Sequence, residues 1–253
     1  MTINPMALTD KNILVTGASG GIGRATAIIL CALGAKVVIA GRDREKLEKT
    51  HSLLPSGQST IEQFDFSNSE EIVDWMKSLT QRLGTFDGLV HSAGIHYFKP
   101  LSSITVKSFE RLLRVNTVSC AMLVKAMQLS DVGSQKASIV LISSTAAIKG
   151  DPANGLYGAS KGAIISLVKA FALELVSRNI RINTVAPALV QTEMADNTRD
   201  LLTEDAFQAI LNFHPMGIGE PVDVANAIAF LLSDASRWIT GICLPVCGGL
   251  SAR

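Results

Sequence analysis

Apolar runs of strand length alternate with helix-length segments from end to end, and that rhythm limits the fold more than any single motif. The runs are NILVTG (12–17), KVVIAG (36–41), STIEQFDF (59–66), FDGLVHSAG (86–94), ASIVLISS (137–144), IRINTVAP (180–187) and ITGICLPV (239–246). Between them, residues 21–33, 43–54, 68–83, 105–130, 157–178 and 221–234 read as helices. Runs that are apolar on both faces suit strands covered on both sides. Strands joined by helices pair in parallel through right-handed crossovers. The expected fold is α/β: one domain over 1–253, a doubly wound, seven-stranded parallel sheet with helices on both faces.

A length of 253 residues suits one such domain and is short for two. Only 188–216 breaks the rhythm, and a long excursion after a strand end reads as a lid over a ligand crevice. Lys plus Arg number 23 against 22 for Asp plus Glu, with no basic stripe interleaved with aromatics, so a nucleic-acid partner is not expected. The most apolar stretch, 22–40, is interrupted by Arg24, Gly34 and Lys36 and divides into a helix and a strand, so no membrane span is expected. The opening MTINPMALTDK carries no apolar signal core, which makes a soluble, cytoplasmic protein the expectation. Cys31, Cys120, Cys243 and Cys247 form no CxxC and read as reduced core residues. His51 and His214 have no partners at metal-ligand spacing, so no metal is expected. Trp75 and Trp238 read as packing residues.

The first strand runs into Thr16-Gly17-Ala18-Ser19-Gly20-Gly21-Ile22-Gly23 and then into an apolar helix. Glycines there let the backbone turn tightly and approach a pyrophosphate, whose charge a helix N-terminus stabilises. A glycine cluster alone is weak. Between the first strand and first helix of a βαβ unit it marks a Rossmann-type dinucleotide site, although the spacing is GxxxGxG rather than GxGxxG. At the end of the second strand, where an NAD site carries an acidic group, this chain has Gly41-Arg42. A guanidinium suits the 2′-phosphate of NADP, so NADP(H) is expected over NAD(H). The competing reading is a solvated Arg42 beside Asp43.

Tyr157 and Lys161 stand four apart in a helical run, on one face, so the ammonium can lie beneath the phenol oxygen. A free phenol has a pKa of about 10, and a nearby cation pulls it toward the working range of a general acid/base. A bare YxxxK more often describes a packed tyrosine and a solvated lysine. Here the pair follows Ser144 and lies downstream of a dinucleotide loop.

Together TGASGGIG (16–23), Asn116 within RVNTVS, Ser144 and YGASK (157–161) resemble the short-chain dehydrogenase/reductase family in its roughly 250-residue form, along the whole chain. The resemblance implies that Tyr157 is the general acid in carbonyl reduction and the base in alcohol oxidation. It implies that Ser144 polarises the carbonyl, that Lys161 lowers the Tyr157 pKa and holds the nicotinamide ribose, and that Asn116 holds a water linking Lys161 to solvent. Cofactor contacts would fall to Gly17, Ser19, Gly21, Ile22, Gly23, Arg42, Asp65, Phe66, Ala93, Gly94, Tyr157, Lys161, Pro187, Val190 and Thr192, with Asp65 on the adenine amine. Three positions depart from the family pattern. His91 replaces the first asparagine of NNAG, Ala188 replaces the glycine of PGxVxT, and Cys247 replaces the aspartate of VDGG.

The expected activity is NADP(H)-dependent interconversion of a ketone and a secondary alcohol, acting on the CH–OH group of a small molecule. A 3-oxoacyl-acyl-carrier-protein reductase-like substrate leads, and a sugar, polyol, steroid or small cyclic alcohol is the alternative. A catalytically silent dinucleotide sensor is the rival class, and the intact Ser144, Tyr157, Lys161 and Asn116 count against it. His96 and Tyr97 follow the fourth strand, where a substrate wall would stand, and the competing reading makes them rim residues. Arg178 with Lys136 is weighed as a small basic area for an acidic carrier protein, against an ordinary solvated surface. The resemblance further implies a homotetramer, or a dimer, built through 105–130, 157–178 and the C-terminal segment.

Overall fold

The computed structural model describes residues 4–199 and 203–252. Seven strands form one sheet: β1 (Asn12–Thr16), β2 (Lys36–Gly41), β3 (Ser59–Gln63), β4 (Phe86–His91), β5 (Gly133–Ile142), β6 (Arg181–Pro187) and β7 (Cys243–Val246). Their spatial order is β3-β2-β1-β4-β5-β6-β7 and every neighbouring pair is parallel. The order reverses between β1 and β4, where Thr16 lies in register with His91. Chains leaving those two strands diverge to opposite sides, which opens a crevice at their carboxyl ends.

Successive side chains of a strand point to opposite faces, so each central strand feeds two cores. Leu14, Val38, Leu89, Ile139, Leu141 and Ile182 pack in one core. There they meet α3 (Ile72–Leu83), α5 (Ser119–Met127) and α6 (Gly155–Leu175). Ile13, Val15, Val37, Ile39, Val90 and Val140 pack in the other core. Its helices are α1 (Gly21–Ala32), α2 (Arg44–His51) and α9 (Pro221–Leu232). Each fully buried aliphatic side chain contributes about 1.5–3 kcal/mol relative to exposure. A continuous apolar strand is thus needed on both sides of the sheet.

Four segments differ from the sequence reading. The expected strand 59–66 stops at Gln63, because Phe64 and Phe66 leave the sheet to pack on Trp75, with ring centroids 4.4 and 5.6 Å away. The expected helix 105–130 divides into α4 (Val106–Leu113), a π-helical turn over Arg114–Val118, and α5. That turn carries the buried Asn116, and single π turns inside α-helices are frequent at functional sites. The 188–216 excursion holds two short helices, α7 (Glu193–Arg199) and α8 (Glu204–Asn212), while its residues 200–202 lie outside the described set. Its base is closed where Val190 bridges Gly219, with Gln191 N–H donating to Gly219 O at 2.9 Å. Finally, Trp238 does not pack within the chain. It is 92 % exposed on the loop before β7, whose interior is held instead by Arg181 bonding the carbonyls of Leu231, Ser233 and Ile239.

Arg178 is not available to a carrier protein. Its guanidinium donates to the carbonyls of Met127 and Gln128, acceptors that the C-terminus of α5 leaves open, and to that of Gly133 at the start of β5. All four cysteines are free thiols. No helix among the described residues is long and apolar enough to cross a membrane.

Candidate active site

The glycine turn between β1 and α1 is shaped by close contacts. Gly17 has φ +66°, and a Cβ there would fall 2.5 Å from Ala93 N. At Gly23 a Cβ would collide with Gly17 O, so the turn folds onto the first turn of α1 only without side chains. The N-cap of α1 is Gly20, with no side chain capping it and no acidic residue in the first turn. The first N–H groups of α1 therefore remain free for an anion. This cradle fits a dinucleotide pyrophosphate.

Several expected cofactor residues converge on the cradle. Ala93 leaves β4 against Gly17, and a Cβ on Gly21 would stand 3.0 Å from Thr192 Cγ2. Thr192 Oγ1 accepts from Ala195 N at 3.3 Å, which starts α7 beside the turn. Ile22 packs against the core under the helix, and Pro187 closes β6. Val190 buries its side chain in that core, so only its backbone can face the crevice. Phe66 likewise buries its ring, and Asp65 Oδ1 accepts from Ser67 N at 2.9 Å. At the end of β2, Asp43 is spent as the N-cap of α2, accepting from Lys46 N at 3.1 Å. Arg42 is exposed beside it, using only its carbonyl, which accepts from Gln63 Nε2. Ser19 Oγ stands 3.5 Å from where a Gly41 Cβ would be.

Three basic or acidic groups at this end were missed in the sequence. Arg24 Nη2 donates to Ser19 O at 2.6 Å, and Lys46 Nζ pairs with Glu193 Oε2 across the turn. They lie on surfaces of α1, α2 and α7, where charged residues are ordinary, and no spacing links them.

Past β5, Ser144 starts a 3₁₀ turn (Thr145–Ala147) by accepting from Ala146 N at 3.2 Å. Tyr157 lies in the first turn of α6, and its phenol shares a hydrogen bond with the Ser144 hydroxyl. Lys161 is buried one turn on, and its Nζ donates to Ile142 O, the last carbonyl of β5, at 2.8 Å. The ammonium lies 5.9 Å from the Tyr157 ring centroid. It also stands against the end of β4, where a Cβ on Gly94 would be 3.4 Å from Nζ and 3.2 Å from Asn116 Oδ1. Asn116 grips the neighbouring residue, accepting from Ile95 N and donating to Ile95 O, both at 2.9 Å. Its Nδ2 also donates to Ser160 Oγ at 3.0 Å, and its carbonyl accepts from Cys120 Sγ. Asn116, Ser144, Tyr157 and Lys161 are thus brought together from three separate stretches of chain.

The electrostatics differ from the expectation in one respect. Burial pushes the Tyr157 phenol up to about 12, and only the Ser144 bond opposes it. The Lys161 ammonium donates to Ile142 O. Burial lowers Lys161 to about 8.

His91 stands where the family pattern has asparagine, and it bridges two elements. Nδ1 lies 2.7 Å from Thr16 Oγ1 on β1, and Nε2 lies 2.9 Å from Ser119 Oγ on α5. Ser119 Oγ donates onward to Val115 O, so it accepts from Nε2–H, and Nδ1 accepts from Thr16. Burial, aided by the Lys161 charge, lowers His91 to about 3 and keeps it neutral. His51 and His214 are likewise engaged within the fold, with Ser59 Oγ and with Ile210 O.

A family model described as enoyl-(acyl carrier protein) reductase matches residues 17–251. A 3-oxoacyl-[acyl-carrier-protein] reductase of Rickettsia felis is 35% identical over 244 residues, spanning 96% of this chain and 98% of the relative. A short-chain type dehydrogenase/reductase from Mycobacterium ulcerans superposes with TM-score 0.89 at 30% identity, covering 98% of this chain and 92% of that one. ElxO, solved with NADPH bound, superposes with TM-score 0.85 at 29% identity, covering 97% and 100%.

Proposed function

Because this chain belongs to the short-chain dehydrogenase/reductase family of CH–OH oxidoreductases, we propose that it interconverts a ketone and a secondary alcohol with NADP(H), Tyr157 carrying the proton. The observation that carries the reading is the hydrogen bond between the Ser144 hydroxyl and the Tyr157 phenol, with Lys161 buried one turn on. Two hydroxyls sharing one bond define a point where a carbonyl oxygen receives both.

When bound, the nicotinamide supplies or accepts the hydride. Tyr157, held protonated at neutral pH, gives its proton to the oxygen as alkoxide character develops. Ser144 donates its hydrogen bond to the same oxygen. Lys161, close to half-charged near pH 8, supports the phenolate left behind and takes the ribose hydroxyls of the cofactor. Asn116 holds Ile95, and so the end of β4, against Lys161.

Arg42 supports NADP(H) over NAD(H), since it is exposed at the end of β2 while the neighbouring Asp43 carboxylate is engaged in capping. α7 and α8 act as the lid, and the cleft of about 260 Å³ between them is lined by lid residues, among them Arg199, Phe207, Gln208 and Leu211, rather than by Ser144 or Tyr157. The leading substrate class is a 3-oxoacyl thioester. Assembly into a tetramer is part of the reading. Val106, Leu173, Val176 and Trp238 turn large apolar side chains outward on the elements concerned.

A screen of 3-oxoacyl thioesters, cyclic ketones, sugars and polyols with NADPH and NADH, followed by nicotinamide absorbance, tests the reading. NADPH-linked turnover that Tyr157→Phe abolishes is the expected result. Turnover that survives Tyr157→Phe sinks the mechanism, and a preference for NADH sinks the role of Arg42.

A further inference from the structure

A proton donor acts efficiently only if its oxygen is held within tenths of an ångström of the acceptor, so the ring that carries it must be fixed. The Tyr157 ring meets the His96 ring edge to face, with centroids 4.6 Å apart at 84°. His96 meets Phe98 in the same manner, at 4.6 Å and 85°. Its Nε2 lies 2.8 Å from Asn154 Oδ1, so Nε2–H donates and the ring cannot turn without breaking that bond. Burial lowers His96 below the ordinary histidine value, which keeps it neutral.

The segment that carries His96 is pinned at three successive points. Asn116 grips both backbone groups of Ile95, Asn154 takes His96, and Lys99 N donates to Ala153 O at 2.8 Å. Ala153 has φ +60°, a left-handed conformation that a non-glycine residue keeps only where its surroundings impose it. Asn154 also accepts from Gly158 N at 2.8 Å, in the same helical turn that holds Tyr157. One residue therefore joins the His96 ring to the start of α6. Lys161 Nζ lies 5.9 Å from the Tyr157 centroid.

We propose that His96, oriented by Asn154, is a positioning residue that fixes the Tyr157 ring for proton transfer. A phenylalanine or leucine would fill the same space without needing Asn154. The imidazole adds a directional bond, and with it a defined ring plane. The proposal rests on Tyr157 being the proton donor, and its test separates the two ideas.

The chain has two tyrosines, so ring-labelled tyrosine gives two sets of NMR signals, and a Tyr97→Phe sample assigns those of Tyr157. His96→Ala and Asn154→Ala should each raise the Tyr157 ring-flip rate at least about tenfold and lower kcat about tenfold. KM for the best ketone of the screen, and the Kd for NADPH, should stay within about twofold, since neither residue is asked to bind in the ground state. The double variant should be no slower than the slower single one, because the two act as a unit. His96→Gln, which keeps an N–H for Asn154 but no ring, should remain loose in ring flip. If either single variant leaves the ring-flip rate or kcat at the wild-type level, the proposal is wrong. An intact rate in Tyr157→Phe would instead overturn the donor assignment, with the ring-flip measurement still reporting on His96.

Discussion

Lys46 Nζ lies 2.7 Å from Glu193 Oε2, joining α2 to α7 across the glycine turn. Both side chains are exposed, and an exposed pair contributes about 0–1 kcal/mol, so it is readily exchanged for another anion. Lys46, through its hydrogen bond, holds the Glu193 carboxyl below the usual carboxylate range, so the charge is present at neutral pH. Glu193 Oε1 also stands 3.3 Å from where a Gly20 Cβ would be, beside the free N–H groups of α1. The carboxylate thus sits where a phosphate would compete for the same cation.

Glu193→Gln should tighten NADPH binding by about threefold to tenfold, equivalent to roughly 0.7–1.4 kcal/mol. The gain for NADH should be smaller, because NADH lacks the 2′-phosphate. Fluorescence titration reads both. Weaker NADPH binding would mean that the bridge closes the lid over the cofactor rather than competing with it.

Ser144→Ala removes the only bond that opposes the raised phenol. It should lower kcat about a hundredfold or more while leaving NADPH affinity within about twofold. Steady-state kinetics beside a binding titration checks this. An unchanged kcat would show that the oxygen of the substrate is held elsewhere.

Gly17→Ala places a methyl 2.5 Å from Ala93 N at φ +66°. The backbone of β4 cannot retreat, since Val90 and His91 are paired with β1 in the centre of the sheet. The variant should lose roughly 2–4 kcal/mol of stability and bind no NADPH. Calorimetry and the same titration measure the two effects.

His91 is lowered to about 3 in the folded protein, against an ordinary value of about 6.5. Below pH 6.5 the unfolded chain binds the proton and the folded one does not, so stability falls as pH drops from 6.5 toward 3. His91→Asn should be less stable than wild type at pH 7 by about 1–3 kcal/mol, since Thr16 and Ser119 lose their partner. Its disadvantage should shrink as pH falls through that window, because asparagine does not titrate. Urea midpoints measured from pH 7 to pH 4 test this. A constant difference would show that His91 does not govern the acid slope.

The alternation of apolar runs was legible because a strand buried on both faces leaves few choices of residue, and all seven strands lie where those runs lie. The glycine turn was legible for a similar reason, since close backbone approach excludes side chains. Helix ends and the π turn at Asn116 were not legible. Nothing in RVNTVS distinguishes an α from a π turn until Ile95 is there to be gripped. Asn154 was not legible because its three-residue offset from Tyr157 has no meaning without the His96 ring. Trp238 misled because a large apolar residue is buried in most contexts, and only the assembled surface shows it facing outward.

The residue order by itself determined which groups can move a proton and which turn can approach a phosphate, because those properties belong to side-chain type and local spacing. Tertiary structure decided how they are tuned. The phenol of Tyr157 is raised because burial outweighs its hydrogen bond with Ser144. Desolvation depends on what the whole chain packs around a group. No four-residue motif encodes it.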